Sequence, residues 1–239
     1  MRIGSSGTVE SMTTARELTT LDANARAFAG SSSPRVILVS LVVVSVARGA
    51  FAGPTWLDLA MVAAVVVLVG PVEWIIHRWL LHAKPGQWLG EVLGTRDSHE
   101  RHHRDPDDLL WLLLRRPNAI GSCAAIIVPI AAIAGIVDVW VTPESRSLVW
   151  GAALTAMAAG LVALAHYEWV HLLVHSRYQP TSAYYRRLDR NHRLHHFRNE
   201  GHWLGVTVNT ADRLFGTLPA DRGAVPLSSS VRSLDSPTR

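Results

Sequence analysis

Tyr167 to His175 reads Y-E-W-V-H-L-L-V-H, and Asn191 to His196 reads N-H-R-L-H-H. The two stretches supply His171, His175, His192, His195 and His196. An earlier pair repeats the arrangement: Glu73 to His82 reads E-W-I-I-H-R-W-L-L-H and Ser98 to His103 reads S-H-E-R-H-H, supplying His77, His82, His99, His102 and His103. Ten of the twelve histidines thus fall in two matching halves, each a spaced pair followed by H-x-x-H-H. Neutral imidazole is the commonest metal-ligating side chain, so two halves of five donors point to two metal ions. Each spaced pair also ends a long apolar run, which makes the expected fold all-α and integral to a membrane.

On a helix, residues three and four apart are surface neighbours, with about 5–6 Å between Cβ atoms. His171 with His175, His99 with His102 and His103, and His192 with His195 and His196 all meet this condition. His77 and His82 are five apart, about 140° around an ideal helix. That pair shares a metal only if the helix ends, kinks or is locally re-wound near Leu80–His82. One H-x-x-H-H can be a surface accident. Two copies, each behind a membrane-length apolar run, favour metal.

Four runs are apolar enough to be read as spans, at about 36–53, 57–76, 119–141 and 148–168. Arg48 in the first is expected to snorkel to the interface, and Pro71 in the second to kink the helix. Leu109 to Leu114 is too short to span and is expected to lie on the membrane surface. Residues 1–34 and 219–239, rich in small and polar residues, are expected as disordered tails around a membrane domain at 35–218. No cleaved signal peptide is expected, because the first apolar run begins only at Val36. Lys84, Arg96, Arg101, Arg104, Arg115 and Arg116 lie in the connection after span two, and ten Arg follow Ser176, against Arg146 alone in the turn at 142–147. The positive-inside rule then puts both termini, every histidine group and a helical cap on the cytoplasmic side.

Hydrophobic residues make up 49% of the 239, and mean hydropathy is +0.17. The pI near 9.8 comes from 22 Arg and a single Lys, the mark of a GC-rich genome, and the membrane is read as that of a bacterial cell. No nucleic-acid-binding signature accompanies the basic charge, so a membrane surface is the better partner than nucleic acid. The lone Cys123 excludes an internal disulfide and lies in an apolar run as a small buried hydrophobe.

The order H-x4-H, H-x2-H-H, H-x3-H, H-x2-H-H resembles the fatty acid hydroxylase and sterol desaturase superfamily of membrane di-metal oxygenases. After His103 the chain reads R-D-P-D-D, similar to the P-x-D-D of acyl 2-hydroxylases. Its end, G-V-T-V-N-T-A-D-R-L-F-G-T, is similar to the family's G-V-T … W-D-x-L-F-G-T. The likeness runs from about Val72 to Pro219 and departs at Ala211, where many members carry Trp. The cytochrome b5 domain fused to eukaryotic acyl 2-hydroxylases is not matched. What the resemblance implies is an oxidoreductase with two iron ions held by His77, His82, His99, His102, His103, His171, His175, His192, His195 and His196. Its reaction would be O2-dependent hydroxylation of a lipid, most simply a fatty-acyl chain, with electrons from a separate cytochrome b5-like or ferredoxin-like protein. Zinc competes for such sites and can fill a preparation, but it has no redox chemistry. A sterol or carotenoid substrate is the alternative within the superfamily.

A ligating imidazole usually donates its other N–H to a neighbouring group. Glu73, Asp97, Asp107, Asp108, Glu168, Asp189 and Asn191 are the candidates for that part. His166 and His202 stand outside the four groups; His166 is read as a core or interface residue, and His202 with Trp203 as lining the substrate mouth. The tryptophans at 74, 79, 88, 111 and 169 are read mainly as anchors at the lipid boundary. A histidine-rich metal transporter is the distant alternative from another class. Transport calls for polar groups in mid-span, and these runs have few.

Overall fold

Four helical stretches are long and apolar enough to cross a membrane: Ser32–Gly49, Trp56–Leu81, Leu109–Asp138 (interrupted at 113–115) and Pro143–His175. They come from a computed structural model describing residues 14–84, 86 and 95–228, within which every regular element is a helix or helical turn. In chain order the helices are α1 (Leu21–Gly30), α2 (Ser32–Gly49), α3 (Trp56–Ile76, prolonged by a π turn over His77–Leu81), α4 (Thr95–Arg104) and α5 (Leu109–Leu112). They continue as α6 (Arg116–Asp138), α7 (Pro143–His175), α8 (Ala183–Phe197) and α9 (Thr210–Leu214). Trp88 lies outside the described residues.

Helix α7 is the central strut of the bundle. A third of its apolar window is buried, against 11–17% for the other spans. Small residues make this possible: Gly151, Ala152, Ala153 and Ala156 are buried along it, and a Cβ on Gly160 would meet Ile126 at 2.8 Å. Small side chains let helices approach closely where lipid supplies no hydrophobic drive to associate. Ile37 and Val44 of α2 and Cys123 and Ala134 of α6 pack with Met157 and Leu161 of α7 into one core. Val39, Val46, Leu59, Val66, Val67, Ile133 and Ile136 are exposed on the outside of the bundle, as a lipid-facing surface requires.

The spans alternate in direction. Ser33, at the start of α2, donates to Glu168 near the end of α7. At the opposite end Arg48 donates from Nε to Asp58 Oδ1 at 3.0 Å and to Thr155 at 3.1 Å, and its Nη2 lies 2.9 Å from Asp58. Arg48's charge is met by Asp58, and its bonds clasp α2, α3 and α7 together.

The helices do not begin and end where the apolar runs do. The first of the four runs Ser32–Gly49, the last begins at Pro143, and residues 139–142 form the turn before it. Within α3 the break in α winding falls at His77–Leu81 rather than at Pro71. Residues 14–34 are not a loose tail. Ala15 N–H donates to Asp107 O at 2.8 Å, Arg177 N–H to Leu18 O at 3.1 Å, and Ala15 and Leu18 pack on Leu112, Leu113 and Leu172. Nor is the chain loose directly after Pro219: the Arg198 guanidinium donates to the carbonyls of Val225 at 2.8 Å and Gly223 at 3.0 Å. The tail expectations for 1–13 and 229–239 lie outside the described residues.

Candidate metal centre

Spans α3 and α7 each deliver a histidine pair at one end of the bundle, and α4 and α8 lie across them as a cap. A π turn of five residues, His77–Leu81, sets the first pair. His82 N–H bonds to His77 O at 3.0 Å, so the π turn brings residues five apart into line. The two rings stack with centroids 5.0 Å apart. This is the local re-winding that the five-residue spacing demands.

All ten histidines of the four sequence groups converge, in two clusters of five. His77, His82, His99, His103 and His195 form one; His102, His171, His175, His192 and His196 form the other. Within each, the candidate ligand nitrogens lie within 4.8 Å of one another. The clusters do not follow the two halves of the sequence. His195 crosses from the second half to the first cluster, and His102 crosses the other way. Helical geometry explains the exchange: on α4, His99 and His103 are four apart and share a face, while His102 faces the neighbouring cluster. On α8, His192 and His196 pair in the same way and His195 faces across. The clusters abut through His103 and His196, stacked with centroids 4.0 Å apart.

The nitrogen spacing fits a cation better than a hydrogen-bond network. His99 Nε2 lies 3.2 Å from His77 Nε2, 3.1 Å from His82 Nε2 and 3.1 Å from His103 Nε2. One ring nitrogen carries at most one proton, which serves at most one of those contacts and leaves lone pairs facing one another. Two nitrogens bound about 2.1 Å from one ion at right angles sit about 3.0 Å apart. His82 and His195 (3.1 Å) and His175 and His192 (2.9 Å) show the same spacing. In the second cluster both ring nitrogens of His102 and His196, Nε2 of His171 and Nδ1 of His192 are buried without a hydrogen-bond partner among the described residues. Such orphaned donors are costly unless something binds them. Burial, helped by mutual repulsion, holds the cap imidazoles neutral: His103 is pushed down to about 3, and His82, His99, His102, His192, His195 and His196 well below the usual histidine range. Neutral imidazole is the form that binds metal.

No hydrogen bond joins the seven expected orienting residues to an imidazole among the described residues. Backbone carbonyls take that part. His77 Nδ1 is 2.6 Å from Leu204 O and His195 Nδ1 is 2.9 Å from His202 O, while the Leu112 carbonyl lies against His171. The carboxylates act one step further out. Glu73 accepts from the N–H groups of Val206 and Thr207, the latter at 2.9 Å, and from the Thr207 hydroxyl at 2.7 Å. Glu168 accepts from Leu114 N–H at 3.0 Å and so braces the segment beside His171. Asn191 donates to Asn209. Asp107 pairs with Arg16, Asp108 caps Leu110 N–H, and Asp97 is exposed on the far side of α4. Asp189 is half-buried, its carboxyl raised by burial against the lowering effect of Arg193.

Trp203 is buried, with a left-handed φ of 52°, and its N–H donates to Thr217 O. It stands between the two carbonyls that reach His195 and His77, and so belongs to the turn that aims them. A cavity of about 670 Å³ does open on the first cluster, lined by His82, His99 and His103 with Leu81, Lys84, Arg96 and Glu200 among others; neither His202 nor Trp203 lines it. His166 lies outside both clusters, near Tyr184 with centroids 6.3 Å apart. The residue that sequence reasoning missed is Asp212, wholly buried on the short helix α9 within the segment over the first cluster. Its place in the D-R-L-F-G-T ending was the available signal.

The family model for fatty acid hydroxylases matches residues 62–217, a stretch holding all ten clustered histidines and the Asp212 loop. The chain belongs to the fatty acid hydroxylase family. A dihydroceramide fatty acyl 2-hydroxylase of Arabidopsis thaliana is 26% identical over 188 residues, covering 78% of this chain and 73% of that protein. A β-carotene hydroxylase of Paracoccus is 28% identical over 140 residues, covering 58% of this chain and 74% of that protein. The hydroxylase domain of scs7p has the same fold, with a TM-score of 0.60 at 24% identity over 83% of this chain and 70% of that one. This fatty acid hydroxylase family member is thus an oxidoreductase embedded in a membrane, with two histidine clusters able to hold metal.

Proposed function

We propose that the protein hydroxylates a C–H bond of a membrane lipid, a fatty-acyl chain in the first instance, using O2 and two iron ions. The observation that carries this reading is the pair of five-imidazole clusters at one end of the apolar spans. His77, His82, His99, His103 and His195 would hold one ion, and His102, His171, His175, His192 and His196 the other. Bound iron supplies the oxidising power to break an unactivated C–H bond, which side chains lack and zinc does not provide. One oxygen atom enters the C–H bond and the other leaves as water, consuming two protons and two electrons. The electrons come from a separate carrier, cytochrome b5-like or ferredoxin-like. The protein's own part is positional. The carbonyls of Leu204 and His202 keep the protons of His77 and His195 on Nδ1, which leaves Nε2 free for metal. The opening beside His82, His99 and His103 gives access to the first cluster from outside the bundle, and the apolar spans would keep the lipid in the bilayer.

The acyl reading is supported by the Arabidopsis relative, whose match spans more of this chain than the carotene hydroxylase match does. A carotenoid or sterol substrate is the second reading, favoured by the Paracoccus relative. Lipid profiling of cells with and without the gene, grown under oxygen, separates the two. Hydroxy-acyl lipids are expected only with the gene; unchanged acyl lipids with altered carotenoids or sterols would give the second reading precedence.

The clusters and both termini face the cytoplasm of a bacterial cell in this proposal. Support comes from the Lys and Arg excess beyond spans two and four, on the side where the clusters lie. A reporter fused after Arg239 that is active only in the cytoplasm is expected to work. Activity of a reporter that functions only outside it would reverse the orientation.

A further inference from the structure

The two clusters are held differently. The loop from His202 to Thr217 hydrogen-bonds two histidines, His77 and His195, and both belong to the first cluster. Among the described residues no hydrogen bond joins the loop to the five histidines of the second. At the centre of this loop is the Asp212 carboxylate. It accepts from Leu204 N–H at 2.9 Å, Gly205 N–H at 2.8 Å, the Asn209 amide at 3.2 Å and the Thr217 hydroxyl at 2.6 Å. Its own carbonyl accepts from the N–H groups of Thr217 at 2.8 Å and Leu218 at 3.1 Å. The turn is tight: a Cβ on Gly205 would meet the Val208 carbonyl oxygen at 2.0 Å.

We infer that Asp212 is a positioning residue for the first metal site alone, acting through the two carbonyls of the turn it ties. This deepens the two-metal reading above and rests on it. His77 comes from α3 and His195 from α8, so one carboxylate sets the tautomer and direction of a donor from each half of the chain. Partners of this outer kind typically govern metal affinity by 10- to 100-fold. Here the effect falls on one ion of the two.

The test counts metal in the full-length protein in detergent, with zinc as a redox-silent probe, and follows its release to a chelator. Wild type is expected to hold two ions per chain. Asp212→Asn presents an NH2 group where the carboxylate received N–H and O–H donors, and it is expected to hold one. Asp212→Asn combined with His171→Ala is expected to hold none. Thr217→Val, which removes one of the four bonds to the carboxylate together with the bond that Trp74 Nε1 donates to the same hydroxyl, is expected to keep both ions and release one of them about tenfold faster. Two tightly held ions in Asp212→Asn would overturn the inference. So would equal acceleration of both release phases in Thr217→Val, which also decides the matter if Asp212→Asn does not fold. A wild-type chain that takes up no metal would instead overturn the two-metal reading beneath it.

Discussion

Replacing His99 with alanine is expected to abolish hydroxylation and to lower bound metal from two ions per chain to one. Outer partners of a metal site cost 10- to 100-fold when removed. His99 Nε2 is itself within 3.2 Å of three other candidate donors, so its loss is expected to exceed about a hundredfold in rate. The pairing of phenotypes is the sharper part of this expectation. His99 and His102 are neighbours in one sequence group, yet they serve different clusters. His99→Ala and His195→Ala should deplete the same ion, while His102→Ala and His171→Ala deplete the other. Metal counts of the four single variants and of the cross-paired doubles check this. Doubles within one cluster keep one ion, and doubles across clusters keep none. His166→Ala, outside both clusters, is expected to retain metal and turnover.

The second large effect is on stability. Glu73 is buried, and its carboxyl takes three donors from residues 206–207. Glu73→Ala leaves those donors unpaired and opens space beneath the loop, at an expected cost of about 3–5 kcal/mol. Glu73→Gln should cost less than about 1.5 kcal/mol. Its carbonyl oxygen can still accept from the two amides, and its NH2 can donate to the Thr207 hydroxyl oxygen. Unfolding of both variants in the same detergent checks the difference. Equal destabilisation would mean that charge, rather than the pattern of donors and acceptors, holds the loop.

Much of this architecture was legible in the residue order. Apolar runs ending in E-W-x-x-H and E-W-V-H announced spans that deliver donors at one end, and the five-residue gap from His77 to His82 demanded a local change of winding. Spacing on α4 and α8 made the three histidines of each H-x-x-H-H near neighbours. What it could not say is which of them turns to the other cluster, since this depends on how the cap helices lie across the spans. The groups that hydrogen-bond the imidazoles were hidden for a different reason. Carboxylates stand out in a sequence, whereas the carbonyls of His202 and Leu204 belong to every residue and gain meaning only through the left-handed turn at Trp203. Glu73 and Glu168 sit near the right place, but they grip backbone instead of imidazole. The N-terminal segment was underrated because Ala15 and Leu18 look unremarkable until the Leu112–Leu172 surface they cover is known.

The crossing of His102 and His195 bears on the order in which the protein can be completed as it leaves the ribosome. His77, His82, His99 and His103 emerge early, but the fifth donor of their cluster arrives only with α8, together with the last donors of the other. Neither five-histidine cluster is therefore complete before α8 has been synthesised, and the two are completed by the same short helix.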